Sequence, residues 1–507
     1  MEKQSSGAAE KPAPAILSVR TALVACFLTL LACCVARPLR DPDLWFHIVA
    51  GRWILAHGAV PTQDYWNMFG AGLPWRAYSW LAEVSFAAVE RGFGLRGLIL
   101  FETCAVALFL LSVARCFVSL SRSYLIGIAL TLLAALGCFW HLVLRPQALT
   151  WILYPVVILL CDQIRTRGFS WGLGAQLAAT MCLWANIHVS SVIPLATIAL
   201  LVERKGLRTL GAALACAFAA TLFTPYFGAE WLSAIKYAGH PATFSIITEL
   251  RPATITEPWS LPLLLSSSLL LVLYYRDSRV LSLRVLLGQL ALVLGAFAVM
   301  RFIPFAVILT CALLARGLGE RPVPLPAALA RLNSRLVKRV VAVGLLLSFV
   351  PLLALGRGSL KRAFERGTDS NTVARSAVDF IESRSLPQPL LNSFEDGNYL
   401  IYRYADRNGE PRYRVPIDGR TEVNTKEAWT EFRAAYLGEE RWQDFIDLVK
   451  PQTIMWPTGS PFVRILTSSG QWCLVYQEGP VTGTTVLVRR SVWEARKNQL
   501  DALNCFE

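Results

Sequence analysis

Charged residues and the signatures of soluble enzymes are scarce in this sequence. Only 17% of the 507 residues are charged, whereas 54% are hydrophobic; soluble domains carry about a quarter charged residues. The chain has no glycine-rich phosphate loop, no HExxH and no CxxC. The sequence therefore gives no support to soluble-type nucleotide, zinc-protease or dithiol chemistry.

The hydrophobic residues are instead concentrated in long runs, which predicts a polytopic α-helical membrane protein. About eleven runs have the length of a helix, although several are short for a bilayer. The predicted spans are 20–36, 97–115, 123–140, 147–162, 171–185, 189–202, 207–224, 260–275, 284–300, 302–316 and 339–356.

The basic residues give the chain a net charge of +14, but they lie mostly in the short connections between alternate spans. This distribution follows the positive-inside rule and predicts a cytoplasmic N-terminus and an outer C-terminus. Nucleic acid is therefore not an expected partner. On this topology all five histidines lie in the outer connections.

Three regions follow from this organisation. Residues 1–19 are expected to be a disordered cytoplasmic N-terminus, and 20–356 a membrane domain whose first periplasmic loop is 37–96. In that loop GRWILAHG and SWLAEVSFAAVERGF predict amphipathic helices of the kind that lie in the membrane interface. Residues 357–507 are turn-rich and mixed in charge, which predicts a periplasmic α/β domain. In it, QWCLVYQEG and TTVLVRRSV predict a hairpin, whereas PLLNSFEDGNYLIYRY and YRVPIDGR predict strands around turns. Cys473 and Cys505 can pair there in an oxidising compartment.

The candidate catalytic residues follow the first span directly, in RPLRDPDLWFHIVAGRW. A turn at Pro42 can direct Asp41 and Asp43 towards one site, where a carboxylate can act as a general base or hold a divalent cation such as Mg or Mn. His47 lies four residues after Asp43 and adds a metal ligand or proton relay if this segment is helical. The alternative is that the aspartates only cap that helix.

Two arginines are candidates for binding the phosphate of a lipid-linked donor. Arg145 in HLVLRPQ and Arg301 in VMRFIPF lie at outer membrane edges, each close to a proline. A guanidinium group can hold a phosphate with two parallel hydrogen bonds. The alternative is snorkelling at a helix end.

Other polar residues on the outer face are further candidates for contacting donor or acceptor. They are Arg52 in the first loop, His141 and His188 in short turns, and Glu249 and Arg251 in the loop 225–259. Asp396, Asp418 and Arg420 are interpreted first as turn residues.

These segments resemble a known class of enzymes. RDPDLWFH after an N-in first helix resembles the first outer loop of GT-C integral-membrane glycosyltransferases. DPDLWFHIVAGRWILAHGAVPTQDYW, LRPQ, ANIHVSS, TPYFGAEW, RFIPF, GNYLIYRY and IDGR are similar to a bacterial GT-C-like group with a C-terminal soluble domain. The resemblance implies transfer of a sugar from a polyprenyl-phosphate donor to an acceptor outside the inner membrane. It places an acidic residue of the first loop, here Asp41 or Asp43, at the catalytic centre, with a divalent metal in some members.

One departure from the class pattern bears on activity. Where an acidic residue in a HEW-like triplet is expected, this chain has Tyr78-Ser79-Trp80, and Glu83 follows one turn later. Two other functions therefore stay open. A transporter or flippase for lipid-linked saccharides is disfavoured because the spans show no repeat symmetry. A non-catalytic subunit of a polysaccharide assembly stays open because of Ser79.

Overall fold

The structure is a computed structural model and describes residues 19–202, 206–232, 250–320, 335–479 and 483–505. In these ranges each of the eleven apolar runs coincides with a helix. Together with one helix of the first loop (α2), these helices are α1 Val19–Cys34, α2 Leu44–His57, α3 Trp80–Ser121, α4 Tyr124–Cys138, α5 Pro146–Arg167, α6 Trp171–Ile187, α7 Val192–Leu201, α8 Leu207–Thr221, α9 Ser260–Arg276, α10 Leu283–Ala298, α11 Ile303–Glu320 and α12 Arg335–Arg366. A 3₁₀ turn, Met300–Phe302, precedes α11.

Three described segments are long and apolar enough to cross a membrane: Trp80–Ser121, Pro146–Arg167 and Met300–Glu320. Further apolar helices in the described ranges are shorter, so the number of spans stays a prediction. Helix α11 lies at the centre of the helical core, where Phe305, Val307 and Ile308 are fully buried. An apolar helix buried on all sides is typical of the middle of a bundle.

The 42 residues of α3 form two helices joined at Gly94, whose φ of 61° and ψ of −156° are not helical. Glycine adopts this conformation because it has no Cβ to clash. The part before Gly94 belongs to the first loop, and the part after it begins the long apolar segment.

The first-loop helix α2 was expected to lie in the membrane interface, but the structure buries most of its surface. The α3 backbone approaches so closely that a Cβ on Gly51 would lie 2.0 Å from the Glu83 carbonyl oxygen. On another side, Trp45 packs against the rings of Tyr399 and Tyr402 from the C-terminal segment, with centroids 5.0 and 4.9 Å away. Packing by this distant segment therefore replaces contact with the bilayer.

The C-terminal segment contains a four-stranded sheet with helices around it. The helices are α13 Arg375–Ser383, α14 Phe394–Tyr404, α15 Lys426–Leu437, α16 Trp442–Val449, α17 Pro461–Ser468 and α18 Arg490–Ala495; the strands are β1 Leu390–Asn392, β2 Thr453–Pro457, β3 Trp472–Gln477 and β4 Thr484–Arg489. The strand order is β1-β2-β4-β3. β1 pairs parallel with β2, and the other pairings are antiparallel.

The predicted hairpin is present as β3 and β4, and Cys473 forms a disulfide with Cys505. The strand predicted through GNYLIYRY is wrong, because only Leu390–Asn392 is extended and a helix follows. The Ser393 hydroxyl accepts a hydrogen bond from Asp396 N and caps this helix. Leu400, Ile401 and Tyr404 are then buried on one helical face.

The strand predicted in YRVPIDGR is also wrong. This segment forms a single bridge to the first loop, in which Met68 N donates to Val415 O at 2.8 Å and Val415 N donates to Trp66 O at 3.0 Å. The C-terminal segment is thereby joined to the first loop by its backbone as well as by side chains.

Candidate functional site

Asp41 and Asp43 are brought together at the start of α2 by one arginine. Arg145 Nε lies 2.8 Å from Asp41 Oδ2, and Arg145 Nη2 lies 3.1 Å from Asp41 Oδ1 and 3.0 Å from Asp43 Oδ2. The backbone N–H of Asp43 also donates to Asp41 Oδ1 at 2.8 Å. Asp43 occupies the N-cap position of α2, but its side chain makes no capping hydrogen bond. Helix capping therefore does not explain why a carboxylate occurs at position 43.

The two carboxylates differ in accessibility. The Asp41 side chain is 3% exposed, whereas that of Asp43 is 30% exposed. A buried carboxylate held by a guanidinium group is an anchor for that group, because its charge is offset within the protein. Asp43 is the member of the pair that a second molecule can reach.

Arg145 is placed by the first turn of α5. Pro146 is the first helical residue, where proline costs no hydrogen bond because that N–H has no partner within the helix. One residue further, Gln147 accepts a hydrogen bond from Arg301 Nε through its side-chain oxygen. The motif LRPQ thus places Arg145 directly before α5 and binds Arg301 through the side chain of Gln147.

His188 lies in the turn after α6, where the charges of Arg145 and Arg301 act on it. Burial first, and then the charges of Arg301 and Arg145, lower the pKa of His188 to about 3. Its Nδ1 accepts a hydrogen bond from Ser190 N at 3.1 Å. Neutral His188 and the two guanidinium groups therefore lie in one region, beside Asp41 and Asp43.

His47 pairs with Glu83 where α2 crosses α3. His47 Nδ1 lies 2.9 Å from Glu83 Oε1, and both residues are buried. Burial raises the pKa of Glu83, which precedes the kink at Gly94, to about 8. Burial and the nearby charges, Arg145 first, lower the pKa of His47. Burial therefore favours the neutral form of both groups, in which the carboxyl O–H donates to the imidazole.

Arg420 adds a fixed positive charge close to this pair. Its side chain is 1% exposed, with Nε 2.9 Å from Asp418 Oδ1, and it also pairs with Asp64 of the first loop. The two carboxylates raise the pKa of Arg420 despite its burial. The guanidinium also lies over the rings of Trp66 and Trp75, 5.2 and 5.0 Å from the centroids. Asp418 and Arg420, interpreted from the sequence as turn residues, therefore form a buried ionic cluster with Asp64.

Two residues were missed as parts of the site. Asn398, in GNYLIYRY, donates from Nδ2 to Asp43 Oδ1 at 2.9 Å. Glu83 was noticed only as the nearest acidic residue after Ser79. Glu83 could have been found from the sequence, because it lies four residues, or one helical turn, after Ser79. No local pattern connects Asn398 with Asp43.

Three sequence-predicted residues make contacts away from the aspartate pair. Arg52 pairs with Glu90 at 2.7 Å and lies over the Tyr402 ring at 4.7 Å, which ties α2 to α3 and α14. Arg251 pairs with Glu257, and His141 is buried with its ring 6.3 Å from that of Trp151. Glu249 lies outside the described residues.

The carboxylates do not form a ready-made metal site. Arg145 contacts both of them, and His47 is engaged with Glu83. Within the described ranges no three His, Cys, Asp or Glu side chains are grouped to hold a metal ion. A role for Asp41, Asp43 and His47 as ligands of a divalent cation stays a prediction.

No family model matches the sequence, and no curated protein sequence matches it either. Solved structures are similar in fold. The apo oligosaccharyltransferase of Archaeoglobus fulgidus matches with a TM-score of 0.53 and 11% identity, over 85% of this chain and 69% of that one. The AglB oligosaccharyltransferase of the same organism, in complex with an inhibitory peptide and a dolichol-phosphate, matches with a TM-score of 0.53 and 10% identity, over 92% and 74% of the two chains. ArnT of Cupriavidus metallidurans, bound to undecaprenyl phosphate, gives a TM-score of 0.47 and 15% identity over 94% and 98%.

Proposed function

We propose a function that proceeds from this fold, which is that of the GT-C membrane glycosyltransferases. The chain moves a sugar from a polyprenyl-phosphate-linked donor to an acceptor on the periplasmic side of a bacterial inner membrane, in the assembly of an envelope glycan or glycolipid. The dolichol-phosphate bound in the AglB complex supports a lipid phosphate as part of the donor.

The observation that carries the proposal is the partly exposed carboxylate of Asp43, which pairs with Arg145 in the region that also contains Arg301. Asp43 accepts the proton of the acceptor hydroxyl while the acceptor oxygen attacks the anomeric carbon. The bond from that carbon to the phosphate oxygen breaks, and polyprenyl phosphate leaves with the electron pair. Arg145 and Arg301 stabilise the charge that develops on the phosphate. His188 is neutral and leaves both arginines as the cations of the site.

Arg145 has two anionic partners in this scheme. In the structure its guanidinium is held by Asp41 and Asp43. A donor phosphate competes with Asp43 for the same group, so donor binding frees the Asp43 carboxylate to act as a base. Asp41 keeps Arg145 in place during the exchange, because its oxygens are buried with the guanidinium.

In this scheme Glu83, one helical turn after Ser79, takes the place of the acidic residue that was expected at Ser79. Glu83 is protonated at neutral pH and hydrogen-bonded to His47, which follows Asp43 by one turn of α2. This pair gives the site a carboxyl group and an imidazole without adding net charge beside the phosphate.

The periplasmic placement rests on two observations. The C-terminal segment contacts the loop that carries Asp43, so both lie on the same side of the membrane. The Cys473–Cys505 disulfide in that segment is typical of an oxidising compartment. The basic connections place the opposite face in the cytoplasm.

The test is transfer of label from radiolabelled polyprenyl-phosphate sugars by the purified protein in detergent. Wild type is compared with the Asp41→Asn/Asp43→Asn double variant, with and without EDTA. Transfer to an acceptor or to water that requires the carboxylates supports the proposal, and EDTA decides the metal requirement. Tight donor binding with no turnover on any donor supports a carrier or a non-catalytic subunit instead.

A further inference from the structure

Asp43 is contacted from both sides by residues of distant parts of the chain. Arg145 holds Oδ2 at 3.0 Å, and Asn398 Nδ2 donates to Oδ1 at 2.9 Å across a sequence separation of 355 residues. The guanidinium belongs to the helical bundle, whereas the amide belongs to the C-terminal segment. The orientation of this carboxylate therefore depends on both.

The direction of the Asn398 amide is fixed by its second contact. Gly419 N donates to Asn398 Oδ1 at 3.0 Å, so the amide nitrogen must be the atom that faces Asp43. A flipped amide would place Asn398 Nδ2 against the donor Gly419 N, and Asn398 Oδ1 against the acceptor Asp43 Oδ1. Asn398 is 1% exposed, so water does not replace these contacts.

Glycine is required where the loop meets this amide. A Cβ on Gly419 would lie 2.3 Å from Asn398 Nδ2 and 2.9 Å from Asp43 Oδ1. Gly397 is as constrained, since a Cβ there would lie 2.1 Å from Ile417 O. The two glycines allow α14 and the IDGR loop to approach each other closely enough for the amide to reach Asp43.

The IDGR loop is itself held by the first outer loop. Asp418 accepts hydrogen bonds from Arg420 Nε at 2.9 Å and from Asn67 Nδ2 at 3.0 Å, and Arg420 also pairs with Asp64. All four side chains are buried. A continuous set of contacts thus runs from the first loop through the IDGR loop to Asn398 and back to Asp43.

We propose that Asn398 is a positioning residue, which orients the Asp43 carboxylate towards the acceptor through the amide that Gly419 holds. The inference rests on the proposed function for its catalytic meaning, and it assigns the C-terminal segment a part in the reaction. Arg145 pairs with the Asp43 carboxylate, and Asp41 accepts a hydrogen bond from Asp43 N; substituting Asn398 changes neither residue.

Asn398→Asp is the sharpest variant, because it keeps the shape of the side chain and replaces the donor by an acceptor. Asn398→Ala removes both the donor to Asp43 and the acceptor for Gly419 N, and Gly419→Ala displaces the amide. Asn371→Asp is the matched control, since Asn371 is exposed and lies in the same segment. Two readouts are used with the full-length protein: kcat and donor KM for transfer, and carbodiimide labelling of Asp43 at one fixed pH, measured by peptide mass spectrometry.

We expect kcat to fall at least about tenfold in Asn398→Asp with donor KM within about twofold of wild type. Asp43 labelling should rise in Asn398→Ala, because the amide no longer covers Oδ1, and stay at the wild-type rate in Asn371→Asp. If Asn398→Asp does not fold, Asn398→Ala and Gly419→Ala provide the same comparison.

The labelling separates this inference from the proposed function. Increased labelling in a protein that turns over no donor supports the role of Asn398 in holding Asp43 and counts against glycosyl transfer. Unchanged labelling in both Asn398 variants overturns the inference, whatever the turnover. A rise in donor KM that accounts for the whole loss of activity also overturns it, because Asn398 would then act in donor binding.

Discussion

His47 Nδ1 and Glu83 Oε1 lie 2.9 Å apart where the first-loop helix crosses the start of α3, with the Glu83 side chain 2% exposed. Burial favours the neutral form of each group, so the pair is a hydrogen bond between a carboxylic acid and an imidazole. An ion pair at this position would need additional hydrogen bonds to offset the loss of hydration.

This protonation state predicts different outcomes for two substitutions of Glu83. Glu83→Gln keeps a donor for the imidazole and should leave the free energy of unfolding nearly unchanged. Glu83→Ala leaves a buried imidazole nitrogen without a partner and should cost about 1–3 kcal/mol. Thermal unfolding in detergent measures both. Equal destabilisation by Gln and Ala would mean that the pair is ionised.

Asp41 and Asp43 should respond differently to conversion into asparagine. Asp43→Asn removes the accessible base and should lower kcat by about 10²–10⁴-fold with little change in Tm. Asp41→Asn takes the buried anion from Arg145 and should lower Tm by several degrees. Transfer kinetics and unfolding of the two single variants provide the comparison. The assignment of the base to Asp43 is wrong if Asp41→Asn abolishes transfer and Asp43→Asn does not.

Arg301 should contribute to donor binding as well as to stabilising the charge that develops on the phosphate. Arg301→Lys keeps the charge but loses the planar group that holds both Gln147 and a phosphate, so donor KM should rise about tenfold or more. Arg279→Lys is the control, because Arg279 is exposed in a connection assigned to the opposite face. Equal KM values for the two variants would remove Arg301 from the donor site.

The stability of the C-terminal segment should depend on pH through Asp396. Burial, opposed by the Ser393 hydroxyl and assisted by the charges of Glu395 and Glu478, raises the pKa of Asp396 from 3.8 to about 7. The stabilisation from the protonated group is complete below about pH 4 and is lost as pH rises through 7. Asp396→Asn should therefore gain stability over wild type at pH 8 relative to pH 5, by up to a few kcal/mol.

Unfolding followed across pH 4–9 tests this dependence, with the exposed Asp501→Asn as the control. A wild-type curve parallel to that of Asp396→Asn over the whole range would contradict the prediction.

The Cys473–Cys505 disulfide should stabilise the sheet. It closes a loop of 32 residues, so its reduction should cost about 2–4 kcal/mol. The measurement is Tm with and without a reductant, in wild type and in Cys473→Ser. Cys26→Ser serves as the control because Cys26 is an exposed free thiol. A Tm that reductant does not change would show that the bridge contributes nothing to stability.

The sequence by itself determined the features that depend on neighbouring residues. Hydrophobic periodicity and length located the apolar helices, because burial of an apolar segment is recorded in its own composition. Alternation located the hairpin of β3 and β4. The run RDPDLWFH marked the candidate site, since carboxylates beside a membrane span are costly unless they serve a function. The resemblance to GT-C glycosyltransferases correctly identified the fold.

Only the tertiary structure decided which residues meet. The segment from Phe394 to Tyr404 is rich in aromatic residues, yet it is helical because a capping serine and burial against α2 outweigh its strand propensity. Arg145 reaches Asp41 across 104 residues, and Asn398 reaches Asp43 across 355. No local pattern records such contacts, because they arise when packing of the bundle, the first loop and the C-terminal segment brings their surfaces together.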